Sequence, residues 1–266
     1  MAVLVTRPAP DNAATARALE ARGLDVVLAP MLRFEPVAFS DDADAATAAV
    51  IVTSANALRA VAGHPMLERL AALPLFAVGE HTAEAARSAG FSDVVVPEAS
   101  GAEALPDLVA ARLAPAKGRR RARKSAEHRP RILYLAGADV TRDLAPAFEA
   151  HGFDLVTWVT YRMAALASLP PMARQAFAAG DIAAVLHYSR RSARAFIAAA
   201  RGDGVEISAL ALPQCCLSDA VAEVMREAGA ARVVVARAPD EAAMMDAVQR
   251  AVPVDTARRR ALRDAG

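Results

Sequence analysis

A chain of 266 residues in which 55% are hydrophobic and only 5% aromatic has an Ala/Val/Leu-rich globular composition. That excludes a disordered or fibrous protein and leaves room for two domains, each with its own core. A formal net charge of +1 provides no global field for nucleic acid or an anionic membrane, so recognition must rest on local groups.

Short apolar runs of strand character alternate with helical segments along the chain. AVLVT (2–6) and LDVVLAP (24–30) flank a helix, DNAATARALEARG, expected to start at a capping Asp11 or Asn12 and to stop at Gly23. MLRFEPVAF (31–39) is extended and poor in helix formers, with Pro36 suited to an edge position. AAVIVT (48–53) hands over to a helix through Thr53, Ser54 and Asn56, then come LFAVG (75–79), the helix EHTAEAARSAGF and DVVVPE (93–98). The run KGRRRARKSAEHRPR (117–131) holds eight Lys or Arg. It lacks interleaved aromatics and is expected to be a solvated loop insertion rather than a nucleic-acid patch.

The second half runs RILYLAG (131–137), FDLVTWVTY (153–161), IAAVLHYS (182–189), LPQCCLS (212–218), the helix DAVAEVMREAGA and ARVVVARAP (231–239). Alternation of this kind predicts an α/β fold with mainly parallel sheets flanked by helices. Cys215 and Cys216 are adjacent, so they make neither an ordinary bridge nor a CxxC metal site, and two reduced thiols in a buried strand are expected. No segment has the length of a membrane span, and MAVLVTRPAPD carries no basic stretch followed by an apolar one. A cytoplasmic protein is expected.

The second half also repeats the first. ARALEARGLDVVLAPMLRFEP matches LAPAFEAHGFDLVTWVTYRMA, with Gly23 facing Gly152. VIVTSANALRAV matches VLHYSRRSARAF with Ser54 facing Ser189, and LFAVGEHTAEAARSAGF matches QCCLSDAVAEVMREAGA with Gly90 facing Gly229. Two similar lobes are expected, each placing hydroxyls at a strand-to-helix turn. Such hydroxyls cap helices, and helix-start amides can also bind an anion; local sequence leaves both readings open.

VTRP (5–8), TSANAL (53–58), VGEHTAEAARSAGF (78–91), a strand ending in Tyr161 and HYSRRSARAF (187–196) together resemble uroporphyrinogen-III synthase. The resemblance runs from residue 2 to about 248, omitting the basic insertion. It implies two α/β lobes joined by a two-stranded β-ladder, with a cleft between them. Lobe 1 would be discontinuous, residues 1–32 plus 168–256, and lobe 2 would be 48–155 with the insertion 117–131. The ladder would be 33–47 and 156–167, and 257–266 a tail.

The implied chemistry is cyclisation of the linear tetrapyrrole hydroxymethylbilane with inversion of its terminal ring and loss of water, without cofactor or metal. Tyr161 matches the family's ladder tyrosine and would donate to the departing hydroxyl, against the plainer reading of an aromatic plug. Thr53, Ser54, Asn56 and Thr82 would bind substrate carboxylates from one lobe, and Ser189, Arg190, Arg191, Ser192 and Ser218 from the other; helix capping is the plainer role of these hydroxyls. Ser218 and Val221 stand where the family usually has Gly and Thr. The implied partners are the small-molecule substrate and the upstream porphobilinogen deaminase, with no nucleic acid or membrane, and the chain would be a monomer. The alternative is a non-catalytic two-lobed small-molecule-binding module. Neither GxGxxG nor a P-loop sequence occurs, which weighs against a nucleotide enzyme.

Overall fold

A computed structural model describes residues 1–39, 46–98, 101–113, 129–139 and 142–252. The expected tail and residues 117–128 of the basic run lie outside the described residues. In chain order the first elements are β1 (Ala2–Val5), α1 (Asp11–Glu20), β2 (Asp25–Leu28), β3 (Leu32–Pro36), β4 (Thr47–Val52), α2 (Ala55–Val61), α3 (Met66–Ala71), β5 (Leu75–Ala77), α4 (Glu80–Ser88), β6 (Val94–Val95) and α5 (Leu105–Leu113). There follow β7 (Arg131–Gly137), α6 (Ala145–Ala150), β8 (Asp154–Ala165), α7 (Pro171–Ala178), β9 (Ile182–His187), α8 (Arg190–Gly202), α9 (Glu206–Ala211), β10 (Pro213–Cys216), α10 (Asp219–Glu227), β11 (Arg232–Val235) and α11 (Glu241–Ala251). Every run read from the sequence as a strand contains one.

The contacts divide the chain into two units, Met1–Phe34 with Ala164–Gly266, and Glu35–Met163. The first is built on a five-stranded sheet of order β11-β10-β9-β1-β2, parallel throughout. Leu4 of the inner strand β1 lies in register with Val27 on one side and Val185 on the other. All four β1 residues are buried, as expected for a parallel strand covered by helices on both faces. On one face Val3, Val5, Ala184, Leu186 and Cys215 pack against Leu19 of α1 and Met244, Met245 and Val248 of α11. Both cysteines are free and buried.

The other sheet has six strands, of order β3-β8-β7-β4-β5-β6; β4 to β7 lie wholly in the second unit, while β3 and β8 run across the division at residues 34 and 163. Alternate side chains of its central strands go to opposite faces. Val50, Val52, Leu133 and Leu135 join Leu58, Val61 and Ala83 on one, while Ala49, Ile51, Ile132 and Tyr134 join Leu105, Val109, Phe148 and Phe153 on the other. Each fully buried Val, Leu or Phe contributes roughly 1.5–3 kcal/mol relative to exposure.

At the sheet edge, Val37 N–H donates to the Thr160 carbonyl (2.8 Å) and Leu166 N–H to the Met31 carbonyl (3.0 Å), so β3 and β8 run antiparallel. Pro36, lacking an N–H, ends the edge strand β3, where no ladder donor is lost. The 12-residue β8 also pairs in parallel with β7, from Asp154 to Tyr161, so its first half is an ordinary sheet strand.

The repeat is visible in the backbone. Gly23 and Gly152 have φ of 77° and 80°, and Gly90 and Gly229 of 101° and 88°, left-handed values that end a helix at little cost only in glycine. One expectation is corrected: neither Asp11 nor Asn12 caps α1, whose N-cap is Pro10 with no side-chain bond. Asp11 instead lies within the first turn, where its negative charge suits the helix dipole, and its carboxylate accepts from Arg7 Nη2 at 3.3 Å.

Among the described residues no helix is long and apolar enough to cross a membrane.

Candidate active site

Because the helices α2, α4, α8, α10 and α11 each begin just after a parallel strand, both lobes gather helix starts at the carboxyl edge of a sheet, the usual ligand side of such sheets. Ser54 is the N-cap of α2 and its Oγ accepts from Asn56 N–H at 3.2 Å. Ser189, its repeat partner, is the N-cap of α8 and accepts from Ser192 N–H at 3.1 Å. The two halves of the chain therefore share this cap.

In the second unit, Thr53 Oγ1 and Tyr134 Oη are hydrogen-bonded at 2.8 Å. Both line a pocket of about 140 Å³ together with Gly137, Asp139, Arg142 and Tyr161. The pocket thus joins Thr53, at the end of β4, to Tyr161, on β8. Tyr161 stands in register with Gly137 at the end of β7, and its ring lies where a side chain at 137 would be. Burial raises the Tyr134 phenol above its usual pKa, the Thr53 bond opposes this, and the neighbouring Tyr161 adds to the rise, so Tyr134 stays a protonated donor. Arg142 forms an ion pair with Glu103. Asn56 spends its side chain on protein partners: its amide donates to Met163 Sδ at 3.6 Å and its carbonyl accepts from Arg59 at 2.7 Å. Thr82, the third residue of α4, is buried.

In the first unit, Ser192 is fully buried and its Oγ accepts from Ser189 Oγ at 3.0 Å. Arg190 and Arg191 are exposed on the first turn of α8, which contains no acidic residue. Ser218 is the N-cap of α10 but makes no capping bond through its side chain. Val221 occupies the place in α10 that Thr82 has in α4, and both are buried, at 4% and 6% exposure. The replacement of a hydroxyl by a methyl there falls on a core-facing position.

The same unit holds a polar cluster that only partly follows from sequence. Arg7, just after β1, donates to Glu241 at 3.1 Å, to Asp11 at 3.3 Å and to Thr15 at 3.4 Å. Its guanidinium lies 4.5 Å from the centroid of the Tyr188 ring, a cation–π distance. Tyr188 donates to Glu241 Oε1 at 2.9 Å and accepts from Thr15 at 3.3 Å, and burial is the main cause of its raised pKa.

Behind it, His187 is fully buried. Gln214 Nε2 donates to the carbonyls of Ala209 and Leu212, both at 2.8 Å, so the amide is oriented with Oε1 toward His187. His187 Nε2, 2.9 Å away, must therefore carry a proton and donate. Burial lowers the His187 pKa to about 4, against the Gln214 bond that raises it. This is a neutral, structural histidine.

Sequence reasoning did not find Tyr134 or Gly137 as pocket residues. Tyr134 reads as one more apolar position in RILYLAG and Gly137 as a strand stop; only the register of β7 against β4 and β8 brings them to Thr53 and Tyr161.

Known proteins share this architecture. The family model described as HEM4, uroporphyrinogen-III synthase HemD, matches residues 13–246. Among solved structures, the chain is similar to uroporphyrinogen-III synthetase from Helicobacter pylori, with TM-score 0.61, 17% identity and 94% and 98% of the two chains covered. It is also similar to a mutant uroporphyrinogen III synthase from the extremely thermophilic bacterium Thermus thermophilus, with TM-score 0.50, 15% identity and the same coverage. No curated protein sequence matches the chain. The structural likenesses carry the two-lobed α/β fold, and the family match spans nearly the whole chain: it belongs to the uroporphyrinogen-III synthase (HemD) family of lyases and is an enzyme of tetrapyrrole biosynthesis.

Proposed function

We propose that this enzyme takes hydroxymethylbilane from the cytoplasmic deaminase that makes it, acts as a monomer, and uses Tyr161 as the donor to the departing hydroxyl. The observation that carries the reading is the pocket shared by Thr53, Tyr134 and Tyr161. At about 140 Å³ it is smaller than the roughly 300–1,000 Å³ of a site enclosing a whole drug-sized ligand. It suits the reactive end of a long substrate, with the rest outside.

Departure of the hydroxyl breaks a C–O bond, and the phenol supplies the proton that makes the leaving group water. The azafulvenium cation left behind is attacked at its exocyclic methylene by the substituted carbon of the terminal ring, giving a spiro intermediate. The old bridge bond to that carbon then breaks and re-forms at the ring's free α-carbon, which leaves the ring inverted. The proton lost from carbon at final closure restores the phenol, so water is the only product besides the macrocycle. Holding the two ends of a flexible chain together supplies the rest of the acceleration.

The substrate's carboxylates account for a second feature. Arg190 and Arg191 occupy the first turn of α8, where cations oppose the helix dipole by roughly 0.3–1 kcal/mol each. An anionic ligand offsets that penalty, which supports both arginines, with Ser189, as carboxylate partners. Ser192 supports Ser189 from within the cap, and Ser218 keeps its hydroxyl for a ligand. Thr53 and Ser54 would contribute from the second lobe; Asn56 and Thr82 would act there through the packing of α2 and α4.

Tyr161→Phe tests the reading under single-turnover conditions, following the type III isomer. Loss of a general acid predicts a fall of about 10²- to 10⁴-fold. Loss of an ordinary hydrogen bond, worth about 0.5–1.5 kcal/mol, gives nearer tenfold. A Phe enzyme at the wild-type rate removes Tyr161 from the mechanism.

A further inference from the structure

Gly137 ends β7 directly opposite Tyr161 in the parallel ladder. A Cβ at residue 137 would lie 2.7 Å from Tyr161 Cζ, 2.9 Å from its hydroxyl oxygen and 3.1 Å from Cε2. Contacts under 3.0 Å essentially never occur for real Cβ atoms, so a side chain at 137 and the phenol in its present place exclude each other. The backbone gives no separate reason for glycine, because Gly137 is not among the glycines with positive φ. What requires glycine here is the ring.

We propose that Gly137 is a positioning residue of the reaction: its missing side chain is the seat that fixes the Tyr161 phenol in the pocket beside Thr53 and Tyr134. The proposal rests on the reading of Tyr161 as donor. Glycine in a strand ordinarily weakens it and is kept where another group must approach closely. In this seat the phenol packs across the strand end, as aromatic side chains cover cross-strand glycines elsewhere. Adding one methyl would push Cζ from 2.7 Å to the ordinary contact of 3.4 Å, a displacement of about 0.7 Å. A misplacement on the order of 1 Å at a reacting group costs about 10²-fold.

The test is a double-mutant cycle of Gly137→Ala and Tyr161→Phe, each variant assayed for type III isomer under single-turnover conditions and under steady state. Gly137→Ala is expected to lower kcat about 10²-fold, with KM close to that of wild type. In the Phe background, where no hydroxyl remains to misplace, it is expected to cost only about threefold more. Wild-type kcat in Gly137→Ala, or losses that simply multiply in the double variant, would overturn the positioning role. Tyr161→Phe at the wild-type rate would instead overturn the donor reading, a different pattern of results. If Gly137→Ala alone unfolds, adding Tyr161→Leu, which removes the far edge of the ring, is expected to restore the folded protein. Failure of that rescue also overturns the proposal.

Discussion

His187 makes the stability of the first lobe depend on pH in a calculable way. Its ring is fully buried, and its pKa falls from the ordinary 6.5 to about 4 in the folded chain. Between those values the unfolded state binds a proton that the folded state refuses, so unfolding becomes easier as pH falls. The contribution is fully present above pH 6.5 and is lost progressively toward pH 4. A difference of about 2.5 pKa units at 1.36 kcal/mol each amounts to about 3 kcal/mol in all, of which about 2.5 kcal/mol is gone by pH 4.5. The perturbation is His187→Gln, which cannot titrate but can still donate to Gln214. Urea unfolding of both proteins at pH 7.5, 6.5, 5.5 and 4.5 isolates the histidine, since other titrations are common to the pair. The stability advantage of wild type over the variant should shrink by about 2.5 kcal/mol from the highest to the lowest pH. Parallel pH curves, or an advantage that grows on acidification, would refute the assignment of a buried neutral ring.

Burial pushes both the Cys215 and Cys216 thiols up to about 12, so neither should react with a disulfide reagent at pH 8 until denaturant is added; prompt labelling of the native protein would contradict this. Ser189→Ala removes the cap bond to Ser192 N–H and should cost about 0.5–2 kcal/mol in unfolding free energy, measured by urea denaturation. On the proposal that Ser189 meets the substrate's carboxylates, Ser189→Asp should keep the stability but lower turnover, because a carboxylate there would repel an anionic substrate.

The fold was largely legible because its signals are local. Apolar runs such as AVIVT and RILYLAG can be buried only as central strands, and Gly23, Gly90, Gly152 and Gly229 end helices at matching places in both halves. The shared cap at Ser54 and Ser189 was readable from two hydroxyls facing each other in the repeat. What the sequence hid depends on distant partners. Asp11 looks like a helix cap until Arg7 takes its carboxylate, and Arg7 in turn finds Glu241, which is 234 residues away. Tyr134 and Gly137 gain their meaning from strand register. Val221, which reads as a missing hydroxyl, lies in the core, so its departure from the family pattern removes no exposed donor.

The central claim is that this chain directs ring inversion. Freshly prepared hydroxymethylbilane closes without help to the uninverted type I uroporphyrinogen, so the product ratio reports catalysis independently of the total rate. Incubation of the purified protein with this substrate alone, without added metal or cofactor, followed by separation of the isomers, should give predominantly the type III product in proportion to enzyme. A ratio unchanged from the spontaneous reaction at every protein concentration would contradict the account.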